Sequence, residues 1–299
     1  MASSLTLAFV GCGNMGAAIL GGILDVTRED SERSSLSLPA PCAVSRFLAC
    51  TKTAGSAEKL RTRFARDSSR VEVLHDSNVK AMMEADIIVL GCKPYLAEAV
   101  LSEPGVQEAL TNKFLVSIVA GKTCAELQQY IQKGSSPNSE SSYSIMRAIP
   151  NVAASVGESM TVIEQPAAHI PVRYVDVITW IFEQIGMVKF LAPDLMDVGC
   201  MMAGSSMAVL SLALDGILDG AVAEGVRRAD AMEMAAQGLL GLSKLLKAGT
   251  HPAIFRETVS SPRGCTIQGL LTAEKAGVRG TYAQAIIDGT QHLQKLQKK

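Results

Sequence analysis

The stretch Leu5-Thr6-Leu7-Ala8-Phe9-Val10-Gly11-Cys12-Gly13-Asn14-Met15-Gly16 decides the fold. Six residues that are apolar or β-branched suit a strand buried on both faces, and three glycines at the spacing G-x-G-x-x-G follow at the start of a helical pattern. Each glycine has its own reason. Gly11 permits the tight turn, Gly13 lets the backbone approach a pyrophosphate, and Gly16 lets the helix pack close to the strand, while the helix N-terminus favours the anion. The sequence of strand, loop and helix favours dinucleotide binding over a purely structural glycine turn.

Working outward, residues 43–50, 71–74, 86–91 and 113–119 also read as strands, and 15–25, 57–66, 78–84, 95–101 and 123–132 read as helices. That alternation predicts an α/β fold, a Rossmann-type doubly wound parallel sheet covered by helices on both faces. Polar insertions at 27–42 and 134–142 read as surface decoration. After about Ile170 the strand signals fade, and helical spacing runs through 172–184, 193–201, 206–226, 228–248, 252–259, 266–275 and 278–297. The expected organisation is a nucleotide-binding domain over 1–168 and an all-α domain over 169–299. In the run 206–226, Asp215 and Asp219 fall on one helical face while Ala and Gly recur elsewhere. This stretch reads as core or subunit interface rather than as a ligand site.

The end of the second strand speaks to the cofactor. A site that prefers NAD ends this strand in a carboxylate for the ribose 2′-hydroxyl, which would repel a 2′-phosphate. Here it ends Ala49-Cys50-Thr51-Lys52-Thr53, two hydroxyls and an ammonium, which suits NADPH, with NADH a weaker ligand. Lys52 as a merely solvated loop cation is the plainer alternative. Asn78 opens a helix that it is placed to cap, and Lys93-Pro94 ends a strand at the ligand-binding side of such sheets. In the second half, Ser260-Ser261-Pro262-Arg263-Gly264-Cys265-Thr266 forms a turn before a helix. Its backbone N–H groups could cradle a substrate carboxylate; a bare helix–helix connection explains the composition equally well.

Composition narrows the function. Of 299 residues, 48% are apolar, which excludes a disordered chain and implies extensive burial, part of it between subunits. Aromatics are 4% and the net charge is −1, so neither a base-stacking platform nor a polyanion footprint is visible, and nucleic-acid binding is disfavoured. Seven cysteines without a C-x-x-C pair and four scattered histidines offer no zinc spacing; no metal and reduced thiols are expected. An apolar run beginning after four residues leaves no room for a secretory leader, and Ser205, Ser206, Asp215 and Asp219 interrupt the most apolar long stretch. A cytoplasmic protein without a membrane span is the expectation.

The chain resembles the pyrroline-5-carboxylate reductases, and among them the fungal forms. The resemblance runs nearly end to end. It is carried by Gly11-Cys12-Gly13-Asn14-Met15-Gly16, Gly91-Cys92-Lys93-Pro94, Val116-Ser117-Ile118-Val119-Ala120-Gly121, Met146-Arg147-Ala148-Ile149-Pro150-Asn151, His251-Pro252, and above all Val259-Ser260-Ser261-Pro262-Arg263-Gly264-Cys265-Thr266-Ile267. The resemblance implies NADPH-dependent reduction of the C=N bond of Δ1-pyrroline-5-carboxylate to L-proline. It implies an interlocked homodimer with active sites at the dimer interface, sometimes assembled into decamers. It further implies that Gly11, Gly13, Asn14 and Met15 line the pyrophosphate, that Thr51 and Lys52 lie near the adenosine ribose, and that Asn78, Lys93 and Pro94 lie at the cofactor. Ala120, Pro150 and Asn151 complete the implied cofactor set. Gly264, Cys265 and Thr266 would hold the substrate carboxylate, with the Thr266 hydroxyl near the ring nitrogen as the implied catalytic group.

Four departures cluster around the implied substrate pocket. Gly204-Ser205-Ser206-Met207-Ala208-Val209 stands where the family carries G-S-G-P-A-[YF]. Cys200 replaces a common Thr, Thr258 a common Asn, and Arg263 the first glycine of S/T-P-G-G-x-T. Ser205, Ser206 and Arg263 therefore join the substrate-site candidates. Three readings stay open: a proline-forming reductase; a diverged paralogue acting on a related cyclic imine carboxylate, a substituted pyrroline or a piperideine; and a catalytically weak NADPH-binding sensor or partner subunit.

Overall fold

The computed structural model describes residues 5–28, 44–134 and 143–297. The expected insertions at 27–42 and 134–142 lie almost wholly outside the described residues. Eight strands form one sheet in the order β3-β2-β1-β4-β5-β6-β7-β8. They are β1 (Leu5–Val10), β2 (Val44–Thr51), β3 (Val71–His75), β4 (Ile87–Leu90), β5 (Phe114–Ser117), β6 (Ser144–Ile149), β7 (Ser159–Glu164) and β8 (Gly186–Leu191). All neighbours run parallel except β6 and β7, which are antiparallel.

The helices are α1 (Asn14–Thr27), α2 (Ala54–Arg63), α3 (Asn78–Glu84), α4 (Ala97–Leu101), α5 (Val106–Leu110), α6 (Cys124–Lys133) and α7 (Val172–Glu183). They continue as α8 (Met196–Cys200), α9 (Ser206–Ala223), α10 (Arg228–Lys247), α11 (Pro252–Thr258), α12 (Cys265–Lys275) and α13 (Val278–Gln297). Alternation along β1 builds two cores. Leu7 and Phe9 face α1 and α7, meeting Leu20, Ile23, Ile178 and Phe182, whereas Ala8 and Val10 face the other side with Met82, Leu101, Leu127 and Ile131. With both faces covered, a polar residue at either parity would be stranded, which is why the buried part of β1, Leu7–Val10, reads as an unbroken apolar run. The doubly wound architecture followed by helices is as the sequence reading expects.

Three strands escape that reading. β6 follows the Ser-rich segment. β7 hides its pattern because Ser159 and Thr161 are buried polar residues, satisfied by each other across 3.4 Å and by the Asn151 N–H, which donates to Ser159 Oγ. β8 is an edge strand with Met187 and Lys189 both exposed, so Lys189 sits in it without cost. Its first residue, Gly186, adopts φ +149°, and a Cβ there would lie 2.0 Å from the Ser159 carbonyl oxygen, an approach that only glycine permits.

Two compact units result. One runs through Gly204 and takes in the chain's end from His292; the other is Ser205–Gln291. Helix α7, which sequence reading grouped with the second half, sits in the core of the first unit through Ile178, Trp180 and Phe182. Within Ser205–Gln291, Leu218 and Ala231 are the buried apolar residues, while Leu210, Leu212, Ile217, Met234 and Leu240 are exposed on α9 and α10. A helical unit with so little interior of its own is suited to association. The continuous helical run Pro193–Ala223 is long and apolar enough to cross a membrane by length and composition, with a mean hydropathy of 1.6 in its most apolar window.

Candidate functional site

In the first unit, the parallel strands deliver their carboxyl ends to one rim. The Gly11 and Cys12 N–H groups both donate to the Cys50 carbonyl, at 3.1 and 2.8 Å, and the Gly91 N–H donates to the Val10 carbonyl at 2.8 Å. These bonds fasten the glycine loop to the ends of β2 and β4. Gly11 holds φ +80°, and a Cβ on it would lie 2.7 Å from the Cys92 nitrogen, so its requirement is internal to the protein. Gly13 differs: a Cβ there would meet nothing within 4 Å. Its lack of a side chain serves open space directly before α1. At Gly16 a Cβ would meet Cys12 Sγ at 3.4 Å and Phe9 at 3.6 Å, ordinary contact, so close packing is a mild constraint there.

Helix α1 has Gly13 as its N-cap and no side-chain capping bond. The first-turn N–H groups of Asn14, Met15 and Gly16 lack intrahelical partners by helix geometry and face the space that Gly13 leaves open. Asn14 is exposed, whereas the Met15 side chain leans on the sheet core, leaving its backbone amide for that space. The positive end of the helix and its free amides suit a dinucleotide's pyrophosphate in sign.

Toward the adenosine end, the three residues after β2 divide their work. The Thr51 hydroxyl is buried and donates to the Thr53 carbonyl, and the Thr53 hydroxyl caps α2 by accepting from the Ser56 N–H. Lys52 is the one that projects outward, and it is paired: its Nζ lies 2.6 Å from Asp76 Oδ1. The pairing raises the lysine pKa and lowers that of the carboxyl, the shared hydrogen bond being the main cause on both sides. Asp76 follows β3 at the same rim, with φ +47° and its N–H donating to the Thr51 carbonyl at 2.9 Å. Sequence reading missed it, although a carboxylate directly after a parallel strand is a visible signal. Asn78 does not cap α3. Ser77 is the N-cap, and Asn78 Oδ1 accepts from the Cys50 thiol at 3.2 Å.

Along the rest of the rim, Lys93 and Pro94 are exposed after β4, Ala120 is exposed in the turn after β5, and Pro150 and Asn151 follow β6. Asn151 is 6% exposed and fully engaged. Its Oδ1 accepts from the Ala153 N–H at 3.0 Å and its Nδ2 donates to the Ala203 carbonyl at 2.6 Å. It acts as a clamp on the π-helical turn Met201–Ser205, out of which the chain continues into α9. Ser205 and Ser206, both half-buried, lie at the end of that turn and the start of α9, where single π-turns often mark functional sites.

In the second unit, Arg263 adopts φ +63°, a left-handed conformation that glycine takes freely and arginine does not. Gly264 then caps α12, its N–H donating to the Ser261 carbonyl at 3.0 Å, and a Cβ on it would lie 2.4 Å from Ser261 Oγ. No side chain caps α12, so the amides of Cys265, Thr266 and Ile267 form an uncapped first turn, with Arg263 exposed beside it. Thiol nucleophiles are disfavoured in the first unit: burial pushes Cys12 up to about 12, Cys92 to about 11 and Cys124 to about 12, leaving them protonated at neutral pH.

Two family models match the chain: "Pyrroline-5-carboxylate reductase dimerisation" over residues 193–296 and "NADP oxidoreductase coenzyme F420-dependent" over residues 6–121. A pyrroline-5-carboxylate reductase of Lophium arboricola is 40% identical over 96% of this chain and 92% of its own length. One of Neurospora crassa is 39% identical over 96% of this chain and 92% of its own length, and one of Schizosaccharomyces pombe 35% identical over 94% and 95%. Among solved structures, Plasmodium falciparum pyrroline carboxylate reductase with NADP bound shares the fold at a TM-score of 0.77 and 21% identity, covering 99% of this chain and 100% of that one. The enzyme of Coxiella burnetii shares it at 0.79 and 20%, with coverage of 99% and 100%. The similarity thus extends along almost the full length of proteins that carry one name, and this chain belongs to the pyrroline-5-carboxylate reductase family.

Proposed function

We propose that the chain reduces the C=N bond of Δ1-pyrroline-5-carboxylate to L-proline, taking the hydride from NADPH and, less well, from NADH. It is an oxidoreductase of the CH–NH class. The observation that carries the cofactor reading is the open cradle at Gly13, set before an uncapped helix and fastened to the ends of β2 and β4. NADPH, when bound, supplies the hydride. The chain's own residues bind and orient. The loop Gly11–Gly16 receives the pyrophosphate on backbone amides, and Thr51, Lys52 and Asn78 serve the adenosine side. Lys93, Pro94, Ala120 and Pro150 border the rim farther along, and Asn151 holds the π-turn rather than reaching outward.

The amides of Gly264, Cys265 and Thr266 are the proposed hold on the substrate carboxylate. Helix α12 adds favourable potential for an anion at its N-terminus. The Thr266 hydroxyl is the proposed catalytic group at the ring nitrogen. No strong acid is required, because the imine takes its proton from solvent, and holding two partners in reacting geometry supplies most of the acceleration. Thr266→Ala and Gly264→Ala test this hold: a raised KM for the imine with the NADPH Kd unchanged supports it, and intact KM and kcat refute it.

A related cyclic imine carboxylate, a substituted pyrroline or a piperideine, is the second reading, and one observation favours it. Arg263 occupies a left-handed position at the anion turn, and strain of that kind persists where function retains it. The matched dimerisation segment makes self-association the quaternary expectation, and we propose that a second copy covers the exposed apolar faces of α9 and α10 in an interlocked dimer, the unit of a larger decamer. On that arrangement the unit that runs through Gly204 serves the cofactor and Ser205–Gln291 serves substrate and partner, in the cytoplasm; the boundary expected near residue 168 moves to 204 because α7 and β8 belong to the first unit.

A further inference from the structure

We infer that Asp76 is a cofactor-selectivity residue: it supplies, from the end of β3, the carboxylate that the end of β2 lacks, and by holding Lys52 it sets the balance between a 2′-hydroxyl and a 2′-phosphate. The inference rests on the nicotinamide-cofactor reading above. Dinucleotide sites of this fold read the ribose at the end of the second strand, where this chain presents Lys52 and no acid. Because β2 and β3 are adjacent and parallel, with Thr51 opposite His75, the residue after β3 emerges beside the residue after β2. Asp76 uses that position, 2.6 Å from the Lys52 ammonium, with its backbone N–H fixed to the Thr51 carbonyl.

The two cofactors meet this pair differently. A 2′-phosphate drawn by Lys52 arrives next to the Asp76 carboxylate, so its attraction to the ammonium is offset by repulsion and by the loss of the existing ion pair. A 2′-hydroxyl loses nothing, because it can donate to the carboxylate while Lys52 remains paired. The pair therefore narrows the advantage that Lys52 alone would give to the phosphorylated cofactor. Both side chains are largely exposed, so the effect weakens as salt rises.

The test is calorimetric binding of adenosine 2′,5′-bisphosphate and of AMP to the full chain, which needs no turnover. Asp76→Asn removes the charge with nearly the same shape, and asparagine tolerates positive φ, so the turn is kept. The bisphosphate-to-AMP affinity ratio is expected to rise roughly 5- to 20-fold in Asp76→Asn at low salt and to fall in Lys52→Ala. The NADPH-to-NADH ratio of kcat/KM should move in the same directions. A ratio that stays within about twofold in Asp76→Asn, while Lys52→Ala still lowers it, overturns the role of Asp76 and leaves the nucleotide site standing. Failure of the unsubstituted chain to bind either nucleotide overturns both.

Discussion

Gly11 and Gly13 stand two residues apart in one loop, and the structure assigns them opposite roles. At Gly11 an added methyl would sit 2.7 Å from the Cys92 nitrogen and 2.8 Å from its Cα, on a residue at φ +80°. The left-handed backbone costs a non-glycine residue about 1–2 kcal/mol, and forcing a methyl into packed backbone costs about 1–3 kcal/mol more. About 0.4–1 kcal/mol returns through the stiffer unfolded chain. Gly11→Ala should therefore lose about 2–4 kcal/mol of stability. Gly13 has φ −87° and open space where its methyl would go, so Gly13→Ala should unfold within about 1 kcal/mol of the parent. Its defect should lie in binding, because the methyl projects into the pyrophosphate cradle. Urea denaturation followed by circular dichroism reads the first effect, and NADPH fluorescence titration reads the second. The reasoning fails if Gly13→Ala destabilises as much as Gly11→Ala, or if it keeps the parental NADPH Kd within threefold.

Other positions are equally exposed to test. Arg263→Gly should raise stability, by up to about 1 kcal/mol, because glycine relaxes the φ +63° turn, and urea midpoints decide it. Asn151→Ala removes a buried donor to Ala203 and an acceptor for Ala153, and should cost about 1–3 kcal/mol on the same assay. The Arg28 guanidinium, forked onto buried Asp67, holds that carboxyl below its usual range. A depressed folded pKa gives stability that is full above the unfolded value of about 4 and lost as pH falls through the folded one. The Tm advantage of the parent over Asp67→Asn should accordingly shrink in acid below about pH 4 and stay level above it.

What was legible in the sequence followed from residues whose environment is one-sided. Leu7–Val10 of β1 is buried on both faces, so it reads as an unbroken apolar run, and the glycine loop after it leaves the doubly wound sheet as the natural expectation. Legibility failed where polar residues are buried in pairs, as Ser159 and Thr161 are in β7, and at the edge strand β8, where a lysine costs nothing. The site was legible in its backbone parts, the glycines and strand ends. It was less so in its side chains, because their partners come from elsewhere in the chain. Lys52 looked like a free cation until β3 brought Asp76 beside it, and Asn151 looked like a cofactor contact until the π-turn placed the Ala203 carbonyl against its amide. The left-handed Arg263 had no sequence signal beyond the glycine that relatives are expected to carry there.

The central claim is tested most directly by NADPH oxidation with Δ1-pyrroline-5-carboxylate, run beside the six-membered piperideine carboxylate and with NADH in place of NADPH. Rapid turnover of the five-membered imine to proline, faster with NADPH than with NADH, is the expected result. Turnover confined to the six-membered ring, or none at all while NADPH still binds, would contradict it.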